Sequence, residues 1–304
     1  MSSASLGPAP FGRVLTAIVT AFDDDGSVDP EGTARVAIHL ADNGHDGIVV
    51  SGTTGESPVT STAEDAQILR AVVEAVGDRV SVVAGVGTNN TAHSVELTEQ
   101  AEKLGADGVL LVTPYYSKPS QQGVAAHFEA VANASSLPVM LYDIPARTGT
   151  EISEQTFARV AGHERIVAVK DAVGDLFRGV RIMTETGLAF YSGDDVLNLG
   201  WLTHGGCGVV SVVGHVAGND YAAMVQAVER GDLSAALDIY RRLVPVVDAI
   251  MHRDPGAVMA KAAMQLLGVL PNRNVRLPLV PAAADLVENL RAELTNAGLL
   301  QDTP

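Results

Sequence analysis

Lysine is scarce in this chain: Lys103, Lys118, Lys170 and Lys261 are the only four in 304 residues. Lys103 lies beside Glu102 in a helical stretch, Lys118 in a polar loop, and Lys261 in an Ala-rich helical stretch. Lys170 differs, because it closes the apolar run "IVAVK" at 166 to 170. Burial disfavours an ammonium and lowers its pKa, and the neutral amine so released can attack a carbonyl and form a Schiff base. A lysine that snorkels to the surface or pairs with Asp171 would fit the same position. Three neighbours in the sequence bear on the choice. Thr53 and Thr54 sit between glycines in "SGTTGES", offering N–H groups and hydroxyls to a small carboxylate, or forming an ordinary strand-to-helix turn. Tyr142 ends "VMLYD" as a proton carrier or as core packing. Arg147 in "PARTG" presents a fork of donors suited to a carboxylate, or is a surface arginine.

Such residues need a scaffold that gathers strand ends. Eight short runs rich in β-branched residues recur along the chain: 14–19, 47–51, 80–85, 108–112, 139–143, 166–170, 188–192 and 208–213. They are nearly continuous in apolar residues, as in a parallel sheet covered on both faces. Helical spacing fills the gaps, for example over 30–43, 63–76 and 91–104, each stretch ending before a glycine. Eight βα units predict an α/β fold, a (β/α)8 TIM barrel, with the site at the C-terminal strand ends. Residues 1–12 read as a flexible tail, 13–218 as the barrel, and 219–304 as a C-terminal helical extension packed on it. A doubly wound open sheet would share the alternation, but no Gly-rich dinucleotide fingerprint follows the first strand, and "GVGTNN" lacks the last glycine.

Composition narrows the partners. A net charge of −16 argues against nucleic acid. No apolar run approaches the length of about 20 residues of a membrane span, the first residues lack the pattern of a signal peptide, and a single cysteine, Cys207, excludes an intrachain disulfide. These features predict a cytoplasmic protein.

The ordered set GTTGE, TPYY, LYDIPARTG, VAVKDAVGD, SGDD and GVVSV resembles the dihydrodipicolinate synthase family, also called 4-hydroxy-tetrahydrodipicolinate synthases, within the pyruvate-dependent class I aldolases. The likeness runs from about Gly12 to Leu300. It implies condensation of pyruvate with L-aspartate 4-semialdehyde on the diaminopimelate route to lysine. No metal and no organic cofactor is implied, only a covalent pyruvate imine on Lys170. By the same resemblance Thr53 and Thr54 bind the pyruvate carboxylate, and Thr54 relays protons between Tyr142 and Tyr116. Tyr116 would enter from a neighbouring subunit, which implies a homo-oligomer, at least a dimer and commonly a dimer of dimers. Arg147 would hold the semialdehyde carboxylate and steady Tyr116. Gly193 and Val210 match positions whose carbonyls face substrate.

Two departures stand out. Asp143 occupies a place where many relatives have Asn. Inhibition by lysine in relatives uses positions aligning with Ser57, Pro58, Thr62, Asp65, Asn89, His93 and Tyr115; Asn89 and Tyr115 fit, whereas inhibited bacterial members commonly carry histidines at the Thr62 and Asp65 positions and a glutamate at His93. Lysine inhibition is therefore expected to be weak or absent, and half-loss of activity at sub-millimolar lysine would overturn that expectation.

The nearest rival keeps the imine but changes the second substrate, as in a sialic-acid or sugar-acid aldolase or dehydratase. GTTGE and Arg147 favour the synthase. A metal-dependent barrel hydrolase would want paired histidines at strand ends, which the sequence does not offer, since His204 near Cys207 is too sparse. A non-enzymatic keto-acid sensor would not need the lysine and tyrosines together. Asp194 and Asp195 read as helix caps and dipole partners, and Glu56 as a structural acceptor.

Overall fold

The computed structural model describes residues 6–301. Eight parallel strands close into a barrel in the order β1 to β8. They are β1 Val14–Ala17, β2 Gly47–Val50, β3 Ser81–Gly85, β4 Gly108–Val112, β5 Val139–Asp143, β6 Ile166–Asp171, β7 Ala189–Ser192 and β8 Gly208–Ser211. Helices α1 Pro30–Asp42, α2 Thr62–Val76, α3 Thr91–Lys103, α4 Gln121–Ala132, α5 Pro145–Thr148, α6 Glu154–Val160, α7 Leu176–Thr186 and α8 Asn198–Thr203 lie between them. After β8 come α9 Gly214–Glu229, α10 Leu233–Met251, α11 Gly256–Leu266 and α12 Ala284–Asn296.

The unbroken apolar runs have a simple cause. Strand side chains alternate, so in a covered barrel one set fills the lumen and the other meets the helices. Leu15, Met140 and Ala168 belong to the lumen cluster, whereas Leu141 and Val169 pack outward against the helices. Tyr142 and Lys170 share the inward parity of Met140 and Ala168, and the register pairs them directly, Tyr142 with Lys170 and Lys170 with Tyr191. Asp143 and Asp171, one residue on, point outward.

Helix starts follow local chemistry. Asp29 caps α1, with Pro30 in its first turn, and Ser61 and Glu64 form a reciprocal capping box on α2. β1 stops two residues short of the expected run; the Val19 N–H turns out of the sheet and donates to His215 Nε2 at 3.1 Å.

The tail expectation needs correction. Residues 1–5 lie outside the described residues, but Leu6 and Phe11 are buried, at 8% and 1% exposure. The Phe11 N–H donates to Tyr191 Oη at 3.2 Å, and that hydroxyl donates to the Gly12 carbonyl at 2.9 Å. The N-terminal mouth of a barrel would otherwise wet its lumen, and Phe11 closes it. At the other boundary, α9 begins at Gly214 and runs through residues 218 and 219, so the expected division between barrel and extension falls inside a helix. The extension packs on the barrel through one apolar cluster in which Met224, Leu243, Ile250, Met259 and Leu290 join Val14 of β1 and Val209 of β8. No helix among the described residues is long and apolar enough to cross a membrane.

Candidate active site

Lys170 stands at the C-terminal mouth with its side chain in the lumen and 5% of its surface exposed. Its Nζ lies 4.2 Å from the centre of the Tyr142 ring. Burial pulls its pKa down to about 8; the negative Asp195 opposes that fall and Arg147 adds to it. Pairing with Asp171 does not occur, because Asp171 faces outward and accepts from the N–H groups of Val173 and Gly174 at 3.1 and 3.2 Å. Snorkelling does not occur either. The barrel walls strip most solvent from the amine, which still borders the cavity at the mouth.

Gly193 explains part of that crowding. A Cβ there would lie 2.8 Å from Lys170 Cγ and 2.8 Å from the Asp171 carbonyl, so only glycine lets β7 pass so close to the lysine. Tyr142 is buried, and desolvation holds its phenol above the ordinary value, with Arg147 opposing and Asp194 reinforcing the rise. It is therefore a neutral hydroxyl at working pH, able to donate or accept but not to carry charge.

The Thr53–Thr54 turn is bracketed by two residues in the left-handed region, Ser51 at φ 53° and Glu56 at φ 59°. Gly55 N–H donates to the Gly52 carbonyl at 3.0 Å, Glu56 N–H to the Thr53 carbonyl at 3.1 Å, and Thr20 Oγ1 to the Gly55 carbonyl at 2.7 Å. The result is a tight, rigid turn with Thr54 buried and Thr53 open. Arg147 rides on the single turn α5, its side chain exposed at the mouth.

Lys170, Tyr142, Thr53, Thr54, Arg147 and Gly193 line one cavity of about 440 Å³. It runs into a second, of about 660 Å³, through shared walls that include Thr53, Tyr142 and Arg147. Tyr116 borders only the second; it is 89% exposed, its φ is 71°, and its backbone N–H reaches the Thr148 carbonyl at 3.4 Å. The single chain thus does not bring Tyr116 against Lys170. Val210 does not line the cavity: its side chain packs in the lumen and it pairs with Leu15 of β1.

Several groups were not visible as site residues in the sequence. Asp194 caps as expected, accepting from the Val196 N–H at 3.2 Å, but Asp195 is no cap. It is buried and accepts from the N–H groups of Val212 and Val213 at 2.8 and 3.1 Å, from Tyr221 Oη at 3.0 Å, from Asn198 Nδ2 at 3.0 Å, and from Ser211 Oγ. It ties the end of β7 to the end of β8 behind Lys170. Its five donors come from residues 198–221, scattered beyond any local motif. Glu56, Met251, His252 and Arg276 also wall the cavity, three of them from the C-terminal extension. Asp143 is buried on the outer face of the barrel; it accepts from Arg178 at 3.3 Å and the Ile152 N–H at 3.2 Å, and burial pushes it up to about 7 against the pull of Arg178. It does not face the pocket.

Of the positions that align with the lysine-binding residues of inhibited relatives, Ser57, Pro58 and Tyr115 line the second cavity, and Thr62 Oγ1 meets His93 Nε2 at 3.1 Å. Asp65 accepts from Thr60 Oγ1 at 2.9 Å and is raised above the usual carboxylate range, mainly by burial. No group of three or more His, Cys, Asp or Glu suited to a metal ion occurs among the described residues.

Comparison with known proteins agrees with this geometry. Residues 10–297 match the Dihydrodipicolinate synthetase family. The 4-hydroxy-tetrahydrodipicolinate synthase of Kineococcus radiotolerans is 57% identical over 290 residues, covering 95% of this chain and 94% of that protein. That of Acidothermus cellulolyticus is 55% identical, covering 98% and 96%. Among solved structures, dihydrodipicolinate synthase from Cyanidioschyzon merolae, with lysine bound, superposes with a TM-score of 0.92 at 42% identity over 96% of this chain and 100% of that one.

Proposed function

Because this chain belongs to the Dihydrodipicolinate synthetase family, it is a lyase with 4-hydroxy-tetrahydrodipicolinate synthase activity, and we propose that Lys170 carries the reaction as a pyruvate imine. The observation that bears this reading is a buried amine whose pKa is lowered to about 8, set over the Tyr142 ring in the wall of a cavity that the Thr53–Thr54 turn also lines. Neutral Nζ attacks the ketone carbon of pyruvate, and loss of water leaves a protonated imine. That imine is the electron sink: a methyl C–H is broken, its electrons move to the imine nitrogen, and an enamine results. The enamine carbon then attacks the aldehyde carbon of L-aspartate 4-semialdehyde, and the developing alkoxide takes a proton. The substrate's own amine attacks the imine carbon, closes the ring and expels Lys170 as a free amine.

Each proton step needs a hydroxyl that can give and take at one place. Tyr142, neutral because it is buried, and Thr54 supply two such hydroxyls, and Tyr116 supplies the third from a second copy of the chain. The exposure of Tyr116 in the single chain supports that arrangement, since a large aromatic side chain with a strained backbone is ordinarily covered. The active form is thus at least a dimer. Thr53 and Thr54 receive the pyruvate carboxylate, and Arg147 that of the semialdehyde. The Gly193 carbonyl faces the bound substrate, whereas Val210, off the cavity wall, packs in the lumen. Its metabolites and its buried free Cys207 suit a cytoplasmic setting.

The direct test is incubation with pyruvate and borohydride followed by peptide mass spectrometry. A reduced pyruvyl adduct on Lys170 is expected. No adduct, or one on Lys103, Lys118 or Lys261, would overturn the assignment.

A further inference from the structure

Glu56 closes the Thr53–Thr54 turn in a left-handed conformation that a non-glycine residue adopts only when its surroundings hold it there. Its carboxylate is turned inward. Oε1 accepts from Lys261 Nζ at 2.5 Å, and Oε2 from the backbone N–H of Arg276 at 2.9 Å. Lys261 is itself fixed: it is 1% exposed, donates also to the Asn274 carbonyl at 2.6 Å, and sits 4.0 Å from the centre of the Phe22 ring. The Arg276 guanidinium lies 4.6 Å from the same ring and is spent on Glu64 and on the carbonyls of Gly26 and Val59. Both partners of Glu56 therefore belong to the C-terminal extension, Lys261 on α11 and Arg276 in the segment after it. The Glu56 N–H in turn donates to the Thr53 carbonyl, so a shift of Glu56 moves the threonines.

We propose that Glu56 is a positioning residue of the reaction: fastened by Lys261 and the Arg276 N–H, it fixes the turn that receives the pyruvate carboxylate, so that the C-terminal extension holds the pyruvate subsite in shape. The inference rests on the pyruvate reading above. Two acceptor oxygens meeting two donors from the C-terminal extension leave the turn one seating, whereas a Glu56 carboxylate left charged without Lys261 would swing out toward water and carry the turn with it. The role is distinct from that of Lys170. Lys261 is an equally buried lysine, but its pair with Glu56 makes it a clamp rather than a nucleophile.

The test compares Lys261→Met, Glu56→Gln and the double variant, with pyruvate and L-aspartate 4-semialdehyde varied separately. Lys261→Met is expected to raise the pyruvate KM by about 10- to 100-fold, because a displaced binding turn loses carboxylate contacts, while the semialdehyde KM moves less than about threefold. The double variant should recover at least about tenfold of that loss, since no buried charge is left alone and the amide oxygen introduced by Glu56→Gln still accepts from the Arg276 N–H. A fall in kcat with both KM values unchanged would mean only a smaller folded fraction and would overturn the proposal. If Lys261→Met does not fold, Glu56→Gln decides: a selective rise in pyruvate KM supports the proposal, and a change in kcat alone overturns it. Wild-type protein that traps no pyruvate on Lys170 would defeat the functional reading itself, and this proposal with it. Wild-type trapping with unaltered KM in the variants would defeat the positioning role alone.

Discussion

Lys170→Met is expected to yield no borohydride-trapped adduct and to lower kcat/KM by at least about 10³-fold, because no other amine stands in the cavity to form the imine. The same substitution should make the protein more stable. Lys170 is buried, and its pKa is lowered to about 8 by that burial, so below pH 8 the folded state carries an ammonium that water would solvate better. The sign follows from proton counting. Between about pH 8 and the unfolded value near 10.5, the folded state binds fewer protons than the unfolded one, so stability rises with pH across that window and the penalty is fully present at pH 7. Met removes the charge and keeps the volume. A rise in Tm at pH 7 that shrinks above pH 9, together with lost activity, would mark a lysine kept for chemistry against stability. A fall in Tm at pH 7 would mean that Lys170 is structural. The rate of imine formation should also climb as pH approaches 8, where the amine becomes neutral.

Lys261→Met supplies the contrast. It leaves the Glu56 carboxylate buried without its cation, a situation that typically costs about 3–5 kcal/mol. Two lysines with similar burial and similarly lowered pKa values thus predict opposite stability effects, because one faces a carboxylate at 2.5 Å and the other an aromatic ring at 4.2 Å.

That pair also shows what the sequence could reveal. Lys170 was legible because the signal is local: it closes a short apolar run rich in β-branched residues, and the end of a barrel strand is where a site forms. The eight strands were legible for the same reason. Lys261 lies in an Ala-rich helix where nothing local names a partner for a buried lysine, and that partner is 205 residues away. Only the closure of the barrel and the docking of α11 bring them together. Asp195 was misread as a cap because adjacent acids before a helix usually are caps, and nothing local signals that its lone pairs point back toward β8. Phe11 was misread as part of a tail, since a plug has no periodicity of its own. Local period and turn chemistry fixed the frame and the strand-end residues; groups whose role depends on long-range contact were silent.

Tyr142→Phe tests the proton relay at the point where burial matters most. The ring beside Lys170 is retained, so the packing that lowers the lysine pKa is kept, and only the hydroxyl is lost. We expect kcat to fall by about 10²- to 10³-fold, within the range that a positioned proton donor and acceptor contributes. Borohydride should still trap pyruvate on Lys170, more slowly, because attack by the amine does not itself require the phenol. If Thr54 belongs to the same relay, removing its hydroxyl in Thr54→Val should add little to Tyr142→Phe. Groups that act as one unit lose their joint effect once, so the double variant is expected within about threefold of the slower single variant. Multiplied losses would instead place the two hydroxyls in separate steps, and a Tyr142→Phe enzyme within about threefold of wild type would remove the phenol from the proton path altogether. The phenol's raised pKa makes this comparison decisive: an ionised tyrosine could act by charge alone, whereas a buried neutral one can act only through the proton it passes on.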